Sequence, residues 1–253
     1  MAVIKSLISA ISLYSKITMP SLNYKEGEDR FSLCFFPLVG LIIGGLLQVL
    51  CLVFKVLDLS QIARTIFAGL LPVIVTGGMH LDGFMDCMDG VHCYGQPDKR
   101  LAILSDPHIG AFSVIKLLEL AGVWLGCLIL VPDSLYPVLG LGFVVSRALS
   151  GITLLWLQPA KESGMLHFTR SHASRGACTA ILVCWLVGSF IAAIIYNPPA
   201  GLAACACSIF CLFYYRHRSQ QDFGGITGDT AGCFLTMTET AWLAAVTIVG
   251  IML

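Results

Sequence analysis

The chain has 253 residues, 57% of them hydrophobic and only 12% charged, with a mean hydropathy of +0.85 and a formal net charge of zero. Soluble domains hold roughly 45–50% apolar residues, so this composition describes an integral membrane protein whose first partner is the lipid bilayer. Balanced charge excludes the basic footprint of nucleic-acid binding.

The predicted elements begin with a helix over residues 1–20. Val3, Ile4, Leu7, Ile8, Ile11, Tyr14 and Ile17 fall on one side of it, and Lys5, Ser9, Ser12 and Lys16 on the other. This pattern predicts an amphipathic helix lying in the membrane interface. Uncharged runs of about 20 residues then mark membrane spans. They cover 31–54, 65–81, 109–131, 135–157 and the last stretch 231–253, and a 40-residue run over 176–215 is long enough for two more. Asn197-Pro198-Pro199 breaks that run near its middle, as a helical hairpin turn does. The fold expected is therefore all-α, a polytopic bundle of about seven transmembrane helices behind an interfacial helix, and 1–253 form one membrane domain. The helix order around the bundle and the oligomeric state stay open, a homo-oligomer being compatible with the sequence.

Seven spans put Lys5, Lys16, Lys25, Arg30, Lys99, Arg100, Lys161, Arg170, Arg175, Arg216 and Arg218 on one side and only Lys55 and Arg64 on the other. The positive-inside rule then makes the N-terminus and the loops 82–108, 158–175 and 216–230 cytoplasmic, in a protein of the cell (inner) membrane. Most of the eleven cysteines lie in apolar runs, where they act as small hydrophobes rather than as a disulfide framework. Cys205-Ala206-Cys207 lacks the spacing of a zinc or redox motif.

The second span runs into His80-Leu81-Asp82-Gly83-Phe84-Met85-Asp86-Cys87-Met88-Asp89-Gly90, three carboxylates within eleven residues of a chain poor in charge. On a helix, Asp82, Asp86 and Asp89 share one face, with about 5–6 Å between neighbouring Cβ atoms. Carboxylates that close repel unless a cation lies among them. Hard oxygen donors without thiolate point to Mg2+ or, as a substitute, Mn2+, and thence to phosphate chemistry. A zinc site using His80, His92 and His108 lacks the regular His/Cys spacing such sites prefer.

Asp106 precedes the third span and is expected either to cap it or to face the other aspartates as a metal ligand. Gly224-Gly225-Ile226-Thr227-Gly228-Asp229-Thr230 permits close backbone approach to a ligand and ends in a carboxylate at a helix start, so Gly225, Thr227, Gly228 and Asp229 are candidate cofactor-binding residues. The simpler alternative is a flexible loop closed by an Asp229 or Thr230 cap. Inside the spans, Lys116 and Glu119 neutralise each other. Arg147 has no local partner and calls for a phosphate or a carboxylate on another helix, such as Glu239.

The segment 77–90 closely resembles the signature of the cobalamin synthase, or adenosylcobinamide-GDP ribazoletransferase, family. Phe36-Pro37-Leu38-Val39-Gly40, Asp106-Pro107-His108-Ile109-Gly110 and Gly225-Ile226-Thr227-Gly228-Asp229-Thr230 with Glu239 are similar to three further family motifs, in order and spacing. Pro107-His108 stands where the family has Ser-Arg, which leaves a phosphate contact in that loop to His108, Lys99 or Arg100. The resemblance implies joining of adenosylcobinamide-GDP to α-ribazole, or its 5'-phosphate, with release of GMP. Under it Asp82, Asp86, Asp89 and Asp106 are the metal ligands to test, with Asp89 as ligand or general base. The acids distinguish two other classes. A CDP-alcohol phosphotransferase carries Asp-Gly-x-x-Ala-Arg, and no Ala-Arg follows Asp82-Gly83. A cation transporter needs acids at mid-membrane, whereas these cluster at a loop edge.

Overall fold

In the computed structural model, residues 2–20, 27–161 and 165–253 are described, so Lys25 lies outside the described residues. All the longer elements are helices: α1 (Ala2–Tyr14), α2 (Phe36–Val56), α3 (Gln61–Thr76), α4 (Met79–His92), α5 (Pro97–Ile103), α6 (Ala111–Leu130), α7 (Tyr136–Trp156), α8 (Met165–His172), α9 (Arg175–Tyr196), α10 (Pro198–Phe223) and α11 (Gly228–Met252). The helices α2, α6, α7, α9, α10 and α11 are each long and apolar enough to cross a membrane, whereas α3 and α4 pass that test only as a pair, bent by 93°, so that the count is six, or seven with that pair taken as one. This is the polytopic helical bundle the hydropathy predicts.

Packing is centred on α7, which is almost wholly buried and touches α2, α9 and α11. Small residues let α2 and α7 meet backbone to backbone. A Cβ added to Gly44 would stand 2.7 Å from the Gly140 carbonyl oxygen, and one added to Gly40 2.2 Å from that of Phe143. Lipid removes the hydrophobic drive between spans, so close contact of this kind is what holds them together. Trp242 of α11 seals the α7 face, its indole N–H donating to the Val138 carbonyl at 2.9 Å.

Several expected boundaries move. The second span ends at Thr76 rather than at 81, because Gly77 and Gly78 both take left-handed backbone, φ +69° and +81°. The chain then bends by 93° into α4. The expected loop 82–108 holds α4 and α5, the loop 158–175 holds α8, and α10 runs on to Phe223, so 216–230 shrinks to a short turn. Polar residues past the apolar stretch continue these helices because their backbone bonds are satisfied internally.

The first helix is shorter than expected, Ala2–Tyr14, and its buried side mixes the two expected faces: Ser6, Ser9, Ala10 and Tyr14 are buried, while Val3 and Ile4 are exposed. The small serine face permits close approach: Ser6 Oγ donates to the Glu28 carbonyl at 3.1 Å and accepts from the Phe31 N–H at 3.3 Å. The exposed apolar residues then suit lipid contact. Lys116 and Glu119 pair at 2.7 Å, as their spacing predicts, and all eleven cysteines are free.

Candidate active site

The site is built where α4 crosses the start of α11. A Cβ added to Gly83 would lie 2.7 Å from the Asp229 carbonyl oxygen, so only glycine lets the two backbones touch there. One turn away, Thr236 Oγ1 donates to the His80 carbonyl at 3.2 Å. These contacts fix Asp82 and Asp86 beside Asp229. Asp82 is exposed, while Asp86 and Asp229 are half-buried.

Electrostatics report the crowding. The carboxyl of Asp86, which lies past the bend and outside the spans, is pushed up to about 6 by burial and then by the charges of Asp82, Asp229 and Asp89. Burial is the larger cause, and the neighbouring carboxylates add to it.

Asp89 is engaged otherwise. Its Oδ2 accepts from the Gly110 N–H at 2.8 Å and its Oδ1 from the Ser113 N–H at 2.9 Å. It therefore caps α6 from a neighbouring helix, the task that the sequence suggests for Asp106. A Cβ on Gly110 would clash with this carboxylate at 2.4 Å. Replacing Asp89 by Ala should lower stability by about 1–2 kcal/mol through loss of the cap, read by denaturant unfolding in detergent. Mg2+ affinity should stay within twofold of wild type, and its loss would make Asp89 a ligand instead.

Asp106 does not join the other aspartates. It is exposed and folded onto its own loop, accepting from the His108 backbone N–H at 3.0 Å and lying 2.6 Å from its Nδ1. It borders only a shallow cavity shared with Asp89 and His92. Among the described residues no three His, Cys, Asp or Glu side chains stand close enough to hold one metal ion together.

The glycine-rich turn has its own structural reasons. Gly224 ends α10 at φ +70°, and Gly225 packs against residues 158–160, where a Cβ would meet the Ala160 nitrogen at 2.7 Å. The Ile226 N–H donates to the Gln158 carbonyl at 2.9 Å and the Ala160 N–H to that of Ile226 at 2.9 Å. Thr227, rather than Asp229 or Thr230, caps α11 in a reciprocal box with Thr230, and Gly228 opens the helix. Asp229 is left facing α4, with Thr227 Oγ1 at 3.5 Å from its Oδ2.

Two features escape the sequence reading. The pairing of 158–160 with the turn carries Lys161 to the site, where it acts electrostatically on Asp229 and donates to Ser105 Oγ at 2.9 Å. No local pattern marks it. Buried Asp222 pairs with Arg100 and, at 3.0 Å, with Arg218. The four-residue spacing to Arg218 is the signal that could have found it. Arg100 is thus engaged in a structural pair, and exposed Lys99 donates to the Tyr94 carbonyl at 3.2 Å.

Arg147 is fully buried in α7 and lines a cavity with His80 and Leu81 rather than sharing the acidic cluster. Its Nη1 donates to Glu239 Oε1 at 2.6 Å and to the Phe143 carbonyl at 2.9 Å. Of the two partners its sequence position calls for, the carboxylate on another helix is the one present.

Fold and site together define a multi-span membrane protein with an acidic site where a bent-off helix meets the start of the last span. The cobalamin-5-phosphate synthase family matches residues 6–247. The chain belongs to that family. It is 34% identical over 254 residues to an adenosylcobinamide-GDP ribazoletransferase of Lachnoclostridium phytofermentans, covering 99% of this chain and 96% of that one. Proteins of the same name from Geobacillus sp. (31% identical, 88% of this chain and 86% of that one) and Acinetobacter baumannii (32%, 84% of each) are also similar. No solved structure matches the chain.

Proposed function

We propose that this protein joins adenosylcobinamide-GDP to α-ribazole, or to its 5'-phosphate, releasing GMP, a late step of cobalamin assembly. The observation that carries this reading is the meeting of Asp82 and Asp86 with Asp229 in a chain of this family. Mg2+ is the expected cofactor, with Mn2+ as substitute. The donor set fits it: hard oxygens from Asp82, Asp86 and Asp229, too few together among the described residues for an all-protein cage. Mg2+ ordinarily takes one or two protein carboxylates and completes its shell with waters and substrate phosphates. One or two of Asp82, Asp86 and Asp229 would hold it directly and the remaining carboxylate would act on it through water, with Asp229 in the place that the sequence suggests for Asp106.

When bound, the ion supplies neutralisation of the diphosphate charge. The chain's residues position the reactants. Lys161 adds a positive charge beside Asp229, and the α4–α11 backbone contact keeps the carboxylates in register. The nucleoside hydroxyl attacks the phosphorus bearing the corrinoid side chain, forming the new P–O bond as the bond to GMP breaks in line. The excess of Lys and Arg on the site's side of the bundle supports a cytoplasmic N-terminus and cytoplasmic site, in the cell's inner membrane.

The sign of the Asp86 shift gives a pH test. A folded-state pKa above the ordinary carboxylate value means that the folded protein binds this proton more tightly than the unfolded chain does. In the absence of a cation, that contribution to stability is lost as pH rises through about 6. A divalent ion relieves the repulsion only where Asp86 is ionised. At limiting Mg2+, the Tm increase should be clear at pH 7.5 and should shrink at pH 5. An equal increase at both values would contradict ligation by Asp86. Mass spectrometry of the corrinoid product made from the two substrates tests the reaction itself.

A further inference from the structure

A cavity of about 260 Å³ lies between α3, α4, α6, α7 and α11, and the reaction as described makes no use of it. Its walls are apolar, among them Leu120, Ala121 and Trp124 of α6. Its polar lining includes Arg147, Glu239 and His80. Arg147 is wholly buried, and its Nε and Nη2 find no protein acceptor, as is true of His80 Nε2. Unpaired buried donors of this kind are rare, and each needs a reason.

An apolar chamber with a few converging polar groups is the usual form of a small-molecule site. The size narrows the ligand: a cavity of about 150 Å³ accepts benzene, so this one has room for a fused two-ring system. The polar lining narrows it further. Arg147 is already neutralised by Glu239, so its spare N–H groups suit an uncharged acceptor such as a ring nitrogen better than an anion. The cavity borders the helix that carries the acidic site: His80 and Leu81, in the first turn of α4 with Asp82, both line it. A nucleoside lying across this junction would have its base in the cavity and its sugar hydroxyls at the carboxylates.

We infer that the cavity receives the planar aromatic nitrogen heterocycle of the acceptor nucleoside, with Arg147 donating to a ring nitrogen. The inference rests on the function proposed above and adds the subsite that selects the base. Two experiments test it. Benzimidazole, as probe, should quench the fluorescence of Trp124 saturably in purified protein, and Trp124→Phe should remove that signal. In turnover, Ala121→Phe, which fills the cavity, should raise KM for the nucleoside at least tenfold and leave KM for adenosylcobinamide-GDP within twofold. Leu117→Phe serves as a second filling variant should the first not fold, and Val123→Phe, outside the cavity lining, should move neither constant. Absence of quenching, an unchanged nucleoside KM, or an equal rise in both constants would overturn the assignment, as would copurified lipid or water alone occupying the cavity. If wild type releases no GMP, the proposed reaction fails, and the benzimidazole measurement with and without the filling substitution still decides the cavity.

Discussion

Replacing Glu239 by Ala should cost about 3–5 kcal/mol of stability, the largest effect expected of any single substitution in the bundle. The cause is the charge left behind. Arg147 has no exposure to solvent, and its contact with Glu239 Oε1 at 2.6 Å is its one ion pair among the described residues. Ser146 Oγ, 3.0 Å from the same oxygen, cannot replace a charge. Arg147→Ala should cost a similar amount for the mirror reason. The double change Arg147→Met with Glu239→Met should recover most of the loss, since exchanging a buried pair for apolar side chains of like volume is often neutral. Unfolding of the four proteins in mild detergent measures this, and a Met/Met variant no more stable than either single Ala variant would contradict it. The double variant also separates two roles: it should fold yet bind benzimidazole weakly, because the donors lining the cavity are gone.

Asp82→Ala should lower kcat by about 10³-fold, equivalent to about 4 kcal/mol of transition-state stabilisation, while leaving Tm within a degree or two of wild type. Asp82 is exposed and no bond in the structure depends on it, so its removal takes away charge at the site without disturbing packing. Asp229→Ala should be as damaging to turnover. Asp106→Ala should be close to neutral, because that carboxylate serves its own loop. Steady-state rates for the three variants rank these aspartates, and a severe Asp106 loss with an active Asp82 variant would reverse the ligand assignment.

Much of the architecture is legible from the chain because span length is a local property: an uncharged run of about 20 residues has few alternatives in a bilayer. The helical spacing of Asp82 and Asp86 is local in the same way, and so is the Lys116–Glu119 pair. What sequence spacing does not reveal is which distant backbone meets which side chain. Asp89 looks like the third member of an acidic face, yet its oxygens are taken by N–H groups 21 and 24 residues onward. Asp106 looks like a cap by position and is displaced from that task by Asp89. Gly77-Gly78 reads locally as the tail of a span, and only its positive φ values turn the acidic helix across the bundle towards α11. Lys161 reaches the site through backbone pairing of two loops, which no periodicity encodes.

The central claim is most directly tested by GMP release from adenosylcobinamide-GDP on purified protein in liposomes. Release is predicted to require both α-ribazole and Mg2+, to stop on chelation, to resume when Mg2+ or Mn2+ is restored, and to be nearly absent with Asp82→Ala. GMP release that proceeds without the nucleoside, survives chelation, or is undiminished in the Asp82→Ala protein would contradict the account.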